Sequence, residues 1–331
     1  MSLRVLFIGG TGIISSACAT RALSEGHDVH LMNRGTSSAR PVPAGARVLR
    51  ADVRDVEAVQ EVLRDAEFDV VVNFVAFTPD HVRQDVDLFT GRTSQYVFIS
   101  SASAYQTPPS RVPVTESTPL RNPFWEYSRR KIASEDVLVH AYRERGFPMT
   151  IVRPSHTYDR TMVPFDGGWT VVDRMRRGLE VVVPGDGTSL WTITHAHDFA
   201  AGFVGLLGKS SALGEAFHLT SDEALTWNQI YEEMAHAAGV LPRLVHVTSD
   251  AIAAGDPELG AAMLGDKSHS MLFDNSKIRS VVPDYVARVP FSQGAREIVA
   301  WHDADPSRRV VDQRVDALFD ALIRTYRPRA F

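Results

Sequence analysis

The chain has 331 residues, 44% of them hydrophobic and 23% charged, and its 35 basic and 40 acidic side chains leave a formal charge of −5. At roughly 150 residues per domain this length suggests about two domains with a full core, which excludes a small disulfide scaffold. The net acidity lacks the electrostatic footprint of a nucleic-acid binder.

Cys18 is the one cysteine, so neither an internal disulfide nor a cysteine-held zinc is expected, and a reducing, cytoplasmic location fits best. No run approaches the roughly 18 uninterrupted apolar residues that span a membrane. The apolar run at residues 5–8 leads at once into a glycine turn, so no signal peptide is expected. The expected partner is a small molecule, with no nucleic acid and no membrane.

In the first 150 residues short apolar runs alternate with longer amphipathic segments, the pattern of helices on both faces of a parallel sheet. Strands are predicted at 3–8, 28–32, 46–50, 69–74, 95–100 and 149–152, and helices at 12–25, 55–66, 79–88 and 124–145. Six parallel strands with right-handed crossovers make an α/β, Rossmann-type doubly wound sheet. After Pro154, loops rich in Pro and Gly at 164–168 and 184–187 interrupt shorter elements, with strands at 190–194, 215–219 and 244–247 and helices at 196–207, 228–238 and 310–326. The expected division is a first domain at 1–155 and a smaller mixed α/β region at 156–331, with 188–208 returning to the first domain.

The first strand ends in Gly9-Gly10-Thr11-Gly12-Ile13-Ile14-Ser15. Gly9 and Gly12 let the backbone approach a pyrophosphate, whose charge is favoured by the free N–H groups of the helix opening at Ile13 and Ile14. In this strand–turn–helix context the turn reads as a dinucleotide site, with plain packing as the bland alternative. Ser15 stands where Gly or Ala is usual, and its hydroxyl either donates to a phosphate or loosens the helix–strand contact. After the second strand, Asn33-Arg34 replaces the acidic residue that would accept from an adenosine ribose; an acid repels a 2′-phosphate, whereas Arg34 pairs with it, favouring NADP over NAD. Asp52, followed by Val53, either accepts from the adenine amino group or caps a helix.

Tyr127 precedes Lys131 by four residues in a helical segment, so phenol and ammonium share one face. A phenol of pKa about 10 is a poor base at neutral pH, and a nearby positive charge favours the phenolate. Ser100 and Ser101 end the fifth strand, where a hydroxyl can bind a substrate oxygen beside that phenol.

These features together resemble the short-chain dehydrogenase/reductase superfamily in its extended form, the NAD(P)-dependent epimerase/dehydratase family. The resemblance spans essentially the whole chain and is carried by Gly9-Gly10-Thr11-Gly12, Asp52-Val53-Arg54-Asp55, the run from Tyr96 to Tyr105, Glu116, Pro119, Tyr127-Ser128-Arg129-Arg130-Lys131 and Val152-Arg153-Pro154. It implies that Ser101, four before Tyr105, is the catalytic hydroxyl, with Ser100 and Ser103 as fallbacks. It further implies that Tyr127 exchanges a proton with the substrate oxygen and that Lys131 binds the nicotinamide ribose and biases the tyrosine towards phenolate. Asn73-Phe74-Val75-Ala76 resembles the segment that passes under the cofactor, so Phe74 and Ala76 join the cofactor residues. Pro154, Ser155 and His156 resemble the loop that meets the nicotinamide carboxamide. The family often dimerises through two helices per subunit, so a homodimer is implied. Arg129 and Arg130, where small residues are common, mark a divergent branch.

Several residues have competing readings. His156 is equally an ordinary loop histidine, and Trp125, expected to border the substrate with Ser101, Ser103 and Tyr127, is as often plain packing. Arg177, clustered with Arg174 and Arg176, either meets the diphosphate of a nucleotide-linked substrate or lies on a solvated basic face. His195-Ala196-His197-Asp198 has too few ligands for a metal and resembles a family segment in which the Asp caps a helix starting at Phe199. The functional expectation is an oxidoreductase or epimerase transferring hydride at a carbonyl or alcohol of a polar substrate such as a nucleotide sugar. Dehydration, which needs a carboxylate pair next to the active hydroxyl, is disfavoured because Ala102 and Ser103 follow Ser101. The competing class is a cofactor-binding regulator or RNA-associated protein with the same fold and no turnover.

Overall fold

A computed structural model describes residues 2–36, 40–64 and 66–327. Position 65, inside the helix expected at 55–66, and positions 328–331 of the second region lie outside the described residues. The first half runs β1 (Arg4–Ile8), α1 (Ile13–Ser24), β2 (Asp28–Asn33), β3 (Arg47–Arg50), α2 (Val56–Leu63), β4 (Phe68–Asn73), α3 (Pro79–Phe89), β5 (Thr93–Ile99), α4 (Glu126–Arg145) and β6 (Met149–Pro154). Local chemistry sets the helix ends. Asp55 accepts from the Ala58 N–H to cap α2, Thr78 caps α3 with Pro79 in its first turn, and Gly146 closes α4 in the left-handed conformation.

The second half adds β7 (His156–Tyr158), α5 (Trp169–Arg176), β8 (Glu180–Pro184), β9 (Leu190–Trp191), β10 (Ile193–His195), α6 (Ala196–Leu206), β11 (Ala216–Leu219), β12 (Leu225–Thr226), α7 (Trp227–Ala237) and β13 (Arg243–Val247). Further on come α8 (Ser249–Gly255), α9 (Pro257–Ala262), α10 (Ser276–Val281), α11 (Phe291–Asp303) and α12 (Gln313–Tyr326).

The central sheet is parallel, in the order β11-β6-β5-β4-β1-β2-β3. It has seven strands rather than six, because β11, a strand of the second half, pairs with β6 beyond the expected edge. The strand expected at 190–194 divides into β9 and β10, which pair with β12 and β7 outside the central sheet. Alternation along β1 explains the layers: Val5 and Phe7 face a cluster with Cys18, Ala19 and Phe203 of α1 and α6, while Leu6 and Ile8 face Val59, Val86 and Leu138 of α2, α3 and α4. A separate core around Trp169, Val181–Val183, Trp227, Ile298 and Phe319 joins α5, α7, α11 and α12 to the parallel pair β8 and β13. That pair holds a strand, β8, that the hydrophobic pattern did not single out.

Strand order reverses at β1 and β4, so the crevice beyond their carboxyl ends is the expected ligand position. Gly10, at φ +91°, turns the chain there, and a Cβ on it would meet Leu31 at 2.8 Å. On the opposite face α6 approaches β11 closely at Gly202, where a Cβ would stand 2.5 Å from Leu219 and 2.8 Å from the Tyr285 ring. Gly202→Val is expected to lower stability by about 1–3 kcal/mol through overpacking, measured by denaturant unfolding; an unchanged midpoint would contradict this account of the α6–β11 contact.

Candidate active site

At the β1–β4 crevice lies a cavity of about 830 Å³, lined by Gly9, Thr11 and Gly12 from the turn, Asn33, Arg34, Gly35 and Thr36 after β2, Arg50 to Arg54 after β3, and Val75, Phe77 and His81. Its volume suits a ligand of nucleotide size. Ser15 resolves its two readings differently: its hydroxyl accepts from the Gly12 N–H at 2.8 Å, taking one donor of the turn. Asp52 does not cap α2, which Asp55 does; it accepts from the Arg54 N–H at 3.0 Å and stands 3.8 Å from the Arg34 guanidinium. Arg50 was missed in the sequence, where it is merely the last residue of a strand. Its guanidinium lies against Gly35, where a side chain of residue 35 would stand, and it has no ion-pair or hydrogen-bond partner among the described residues. Arg40 bonds Asp159 through Nε and Nη2 at 2.7 and 3.1 Å, tying the loop after β2 to the segment after β7.

Other expected cofactor residues are not in the lining of this cavity. Ile13 and Ile14 begin α1, and the Phe74 side chain packs edge-on against Phe7 and beside Phe203, in the core. Ala76 contributes its carbonyl, which accepts from Lys131 Nζ at 2.8 Å. Pro154 ends β6, and the Ser155 hydroxyl is 2.7 Å from that of Thr194. His156 is half-buried with its Nε2 enclosed and unpartnered, and desolvation, with Lys267 nearby, pulls its pKa down to about 3, so it is neutral.

Tyr127, Lys131 and Ser101 converge. Lys131 is only 2% exposed; besides Ala76, its Nζ donates to the Ile99 carbonyl at 2.8 Å, and it lies 4.9 Å from the Phe77 ring centre and 5.7 Å from that of Tyr127. Phe77, in the lining of the cavity, thus reaches Lys131, which lies beside the tyrosine ring. The Ser101 hydroxyl faces the phenol and is 2.9 Å from that of Ser103, which accepts from Ser128 at 2.8 Å. The Ser100 hydroxyl is turned away from this group and donates to Glu135, itself in a buried pair with Arg153. The Trp125 ring packs tilted against that of Tyr127, ring centres 4.8 Å apart.

The electrostatics differ from the expectation. Burial pushes the Tyr127 phenol up to about 12, with the Ser101 hydroxyl pulling the other way and the Asp266 carboxylate adding to the rise. The expected acidification by Lys131 is absent because burial also pulls that ammonium down to about 7, only partly opposed by Glu135. Asp266, on a single π-helical turn after α9, was not singled out in the sequence; it lies 139 residues from Tyr127 in the chain and no local spacing reveals it. Arg177 is not free to meet a diphosphate, since it pairs with Asp173 at 2.7 Å and Asp316 at 3.5 Å. The helix α6 starts at Ala196 rather than Phe199 and is capped by His195, while Asp198 accepts from the Val289 N–H.

Residues 5–219 match the model of the NAD dependent epimerase/dehydratase family. The chain belongs to this family. Among its relatives, 2′-dehydrokanamycin reductase of Streptomyces kanamyceticus is 27% identical over 307 residues, covering 91% of this chain and 84% of that protein. The chloroplast stem-loop binding protein of 41 kDa b of Arabidopsis thaliana is 25% identical over 256 residues, 73% of this chain and 65% of that protein. The UDP-glucose 4-epimerase of Bifidobacterium longum, solved with NAD+ and UDP, shares the fold with a TM-score of 0.73 at 19% identity, over 92% of this chain and 99% of that one. Among the described residues no helix is long and apolar enough to cross a membrane.

Lysine in an unfolded chain titrates near 10.4, so in this family member the Lys131 proton is released earlier in the folded state. Below about 7 the charged, buried ammonium opposes folding, and its contribution becomes more favourable as pH rises from about 7 to about 10. In labelled, cofactor-free protein the Lys131 ε-methylene resonance, assigned with Lys131→Met, is expected to titrate with a midpoint near 7; a midpoint near 10 would contradict the desolvation account.

Proposed function

We propose that the chain is an NADP(H)-dependent oxidoreductase of reductase or epimerase type, transferring hydride at a carbonyl or alcohol carbon of a sugar-like substrate. The observation that carries this reading is the convergence of Ser101, Tyr127 and Lys131 beside a glycine-lined cavity, linked to it through Phe77. The residues fit a dinucleotide: the turn supplies backbone N–H groups at the start of α1, and Arg34 and Arg50 flank Gly35 where a 2′-phosphate would pair with both. Bound nicotinamide supplies the hydride. In this reading 1–155, with α6 and β11, holds the cofactor, 156–331 closes over the substrate, and α3 and α4 are the surface for a homodimer.

A phenol at about 12 is neutral at physiological pH and acts as an acid. Tyr127 therefore donates its proton to the substrate oxygen in carbonyl reduction, and Ser101 orients that oxygen. The hydroxyls of Ser103 and Ser128, bonded in series to that of Ser101, hold it towards the phenol. Lys131, poised near neutrality, donates to a ribose hydroxyl, and the Ser101 hydroxyl, which lowers the phenol pKa, is the group that favours the phenolate left after transfer. Dehydration remains disfavoured, because Ala102 and Ser103 offer no carboxylate next to Ser101.

The similarity to a stem-loop binding protein favours a second reading, an RNA-associated protein without turnover. The net charge of −5 and the assembled Ser-Tyr-Lys group weigh against it. Tyr127→Phe is expected to lower turnover on a panel of sugar ketones by about 10²- to 10⁴-fold while leaving NADP+ binding, read by calorimetry, unchanged. A wild type inactive on the whole panel that binds stem-loop RNA would favour the second reading. Replacing Arg34 and Arg50 together by Gln is expected to weaken NADP+ binding about tenfold or more and leave NAD+ binding in place; equal losses for the two cofactors would remove the case for NADP.

A further inference from the structure

The π-helical turn Met263–Lys267 packs against the strip that carries Trp125 and Tyr127. Asn122 Nδ2 donates to the Gly265 carbonyl at 2.6 Å and to the Ser103 carbonyl at 2.9 Å, and a Cβ on Gly265 would stand 2.7 Å from Trp125 Cβ. The turn is thereby pinned against the strip that carries Trp125 and Tyr127. It brings in Asp266, whose charge reaches the phenol, and Lys267, whose Nζ lies 3.7 Å from Asp166 and 3.9 Å from Asp266.

Lys267 is only 6% exposed, yet its ammonium makes no hydrogen bond among the described residues, since both carboxylates stand beyond hydrogen-bond distance. The neighbouring His156 Nε2 is buried and also unpartnered. Lys267 Nζ keeps a little exposure and stands between two carboxylates without a hydrogen bond to either, so its donors and their oxygens are open to a polar ligand. Charge narrows the choice. Two carboxylates face one ammonium here, while His156 is neutral and Lys131 is held on two backbone carbonyls. The arginines of α5 and its C-terminus offer no help to an anion: Arg174 pairs with Asp316 and Asp320, Arg176 with Asp303, and Arg177 with Asp173 and Asp316. A diphosphate would add negative charge to a subsite already in acidic excess.

Resting on the proposed role of Tyr127, we propose that Asp166, Asp266 and Lys267 form the specificity end of the substrate subsite and take a polyhydroxylated ring bearing an ammonium group. The carboxylates accept from the ammonium, and Lys267 donates to a ring hydroxyl or ether oxygen. Sugar substrates carrying amines are thus selected over those carrying a nucleoside diphosphate.

The test is calorimetry on the NADP+-loaded protein with three probes: a glucosamine trimer, the same trimer fully N-acetylated, and UDP-glucose. The amine trimer is expected to bind about tenfold or more tighter than the acetylated one, as a partly buried charge pair allows, and tighter than UDP-glucose. Asp266→Asn and Asp166→Asn should each reduce that preference and leave NADP+ affinity unchanged. Asp166 has the more exposed side chain of the two and keeps the test available if Asp266→Asn does not fold. Equal binding of the two trimers, tighter binding of UDP-glucose, no binding of any probe, or a preference untouched by both variants would overturn the assignment. Because the readout is binding, Tyr127→Phe should retain the preference; a protein that discriminates between the trimers but never turns over sinks the oxidoreductase reading alone.

Discussion

The arrangement of the site depends on one buried ammonium. Lys131 Nζ is held by the carbonyls of Ala76 and Ile99, which follow β4 and end β5, so a residue near the start of α4 is fixed to the carboxyl ends of two central strands. Hydrogen bonds to a charged group contribute about 1.5–3 kcal/mol each, comparable to the several kcal/mol that removing the charge from water costs. These bonds offset only part of that cost, as the fall of the Lys131 pKa to about 7 shows, and their larger effect is on position. With Lys131 anchored, Tyr127 one turn earlier stands beside Ser101, because β5 leads directly into the segment that carries that hydroxyl.

A second anchor lies one turn further along the same helix face. Glu135 pairs with Arg153 of β6, both nearly fully buried, and accepts from Ser100. Breaking one partner of such a pair leaves an uncompensated buried charge, so the contact specifies where α4 sits relative to β6 more than it adds stability. It also gives the adjacent serines different surroundings: Ser100 is drawn into the interior, while Ser101 faces the phenol.

The nucleotide cavity and the proposed substrate subsite differ in charge. Arg34, Arg50 and Arg54 border the cavity, with Asp52 among them, whereas in the second half Asp166 and Asp266 flank the single ammonium of Lys267. Desolvation governs the acidity of the Tyr127 hydroxyl, and the Asp266 carboxylate adds to the rise. In the proposed reading, this polarity orients a substrate whose own charge differs from that of the cofactor phosphates.

Much of the nucleotide-binding half was legible in the sequence, because its signals are local: alternation along β1, glycines in the turn after it, and a four-residue spacing that puts Tyr127 and Lys131 on one helix face. Such patterns are set by backbone geometry within one element or one turn, and they need no knowledge of distant neighbours. What the fold alone decided involves residues far apart in the chain. The seventh strand comes from after α6, the Ser100 hydroxyl turns to a glutamate 35 positions on, and Asp266 reaches the phenol from the second half. Protonation belongs to the same class. Helical spacing brought a lysine near a tyrosine, but whether either is charged depends on how much water their surroundings exclude, and that is a property of the assembled interior rather than of any segment.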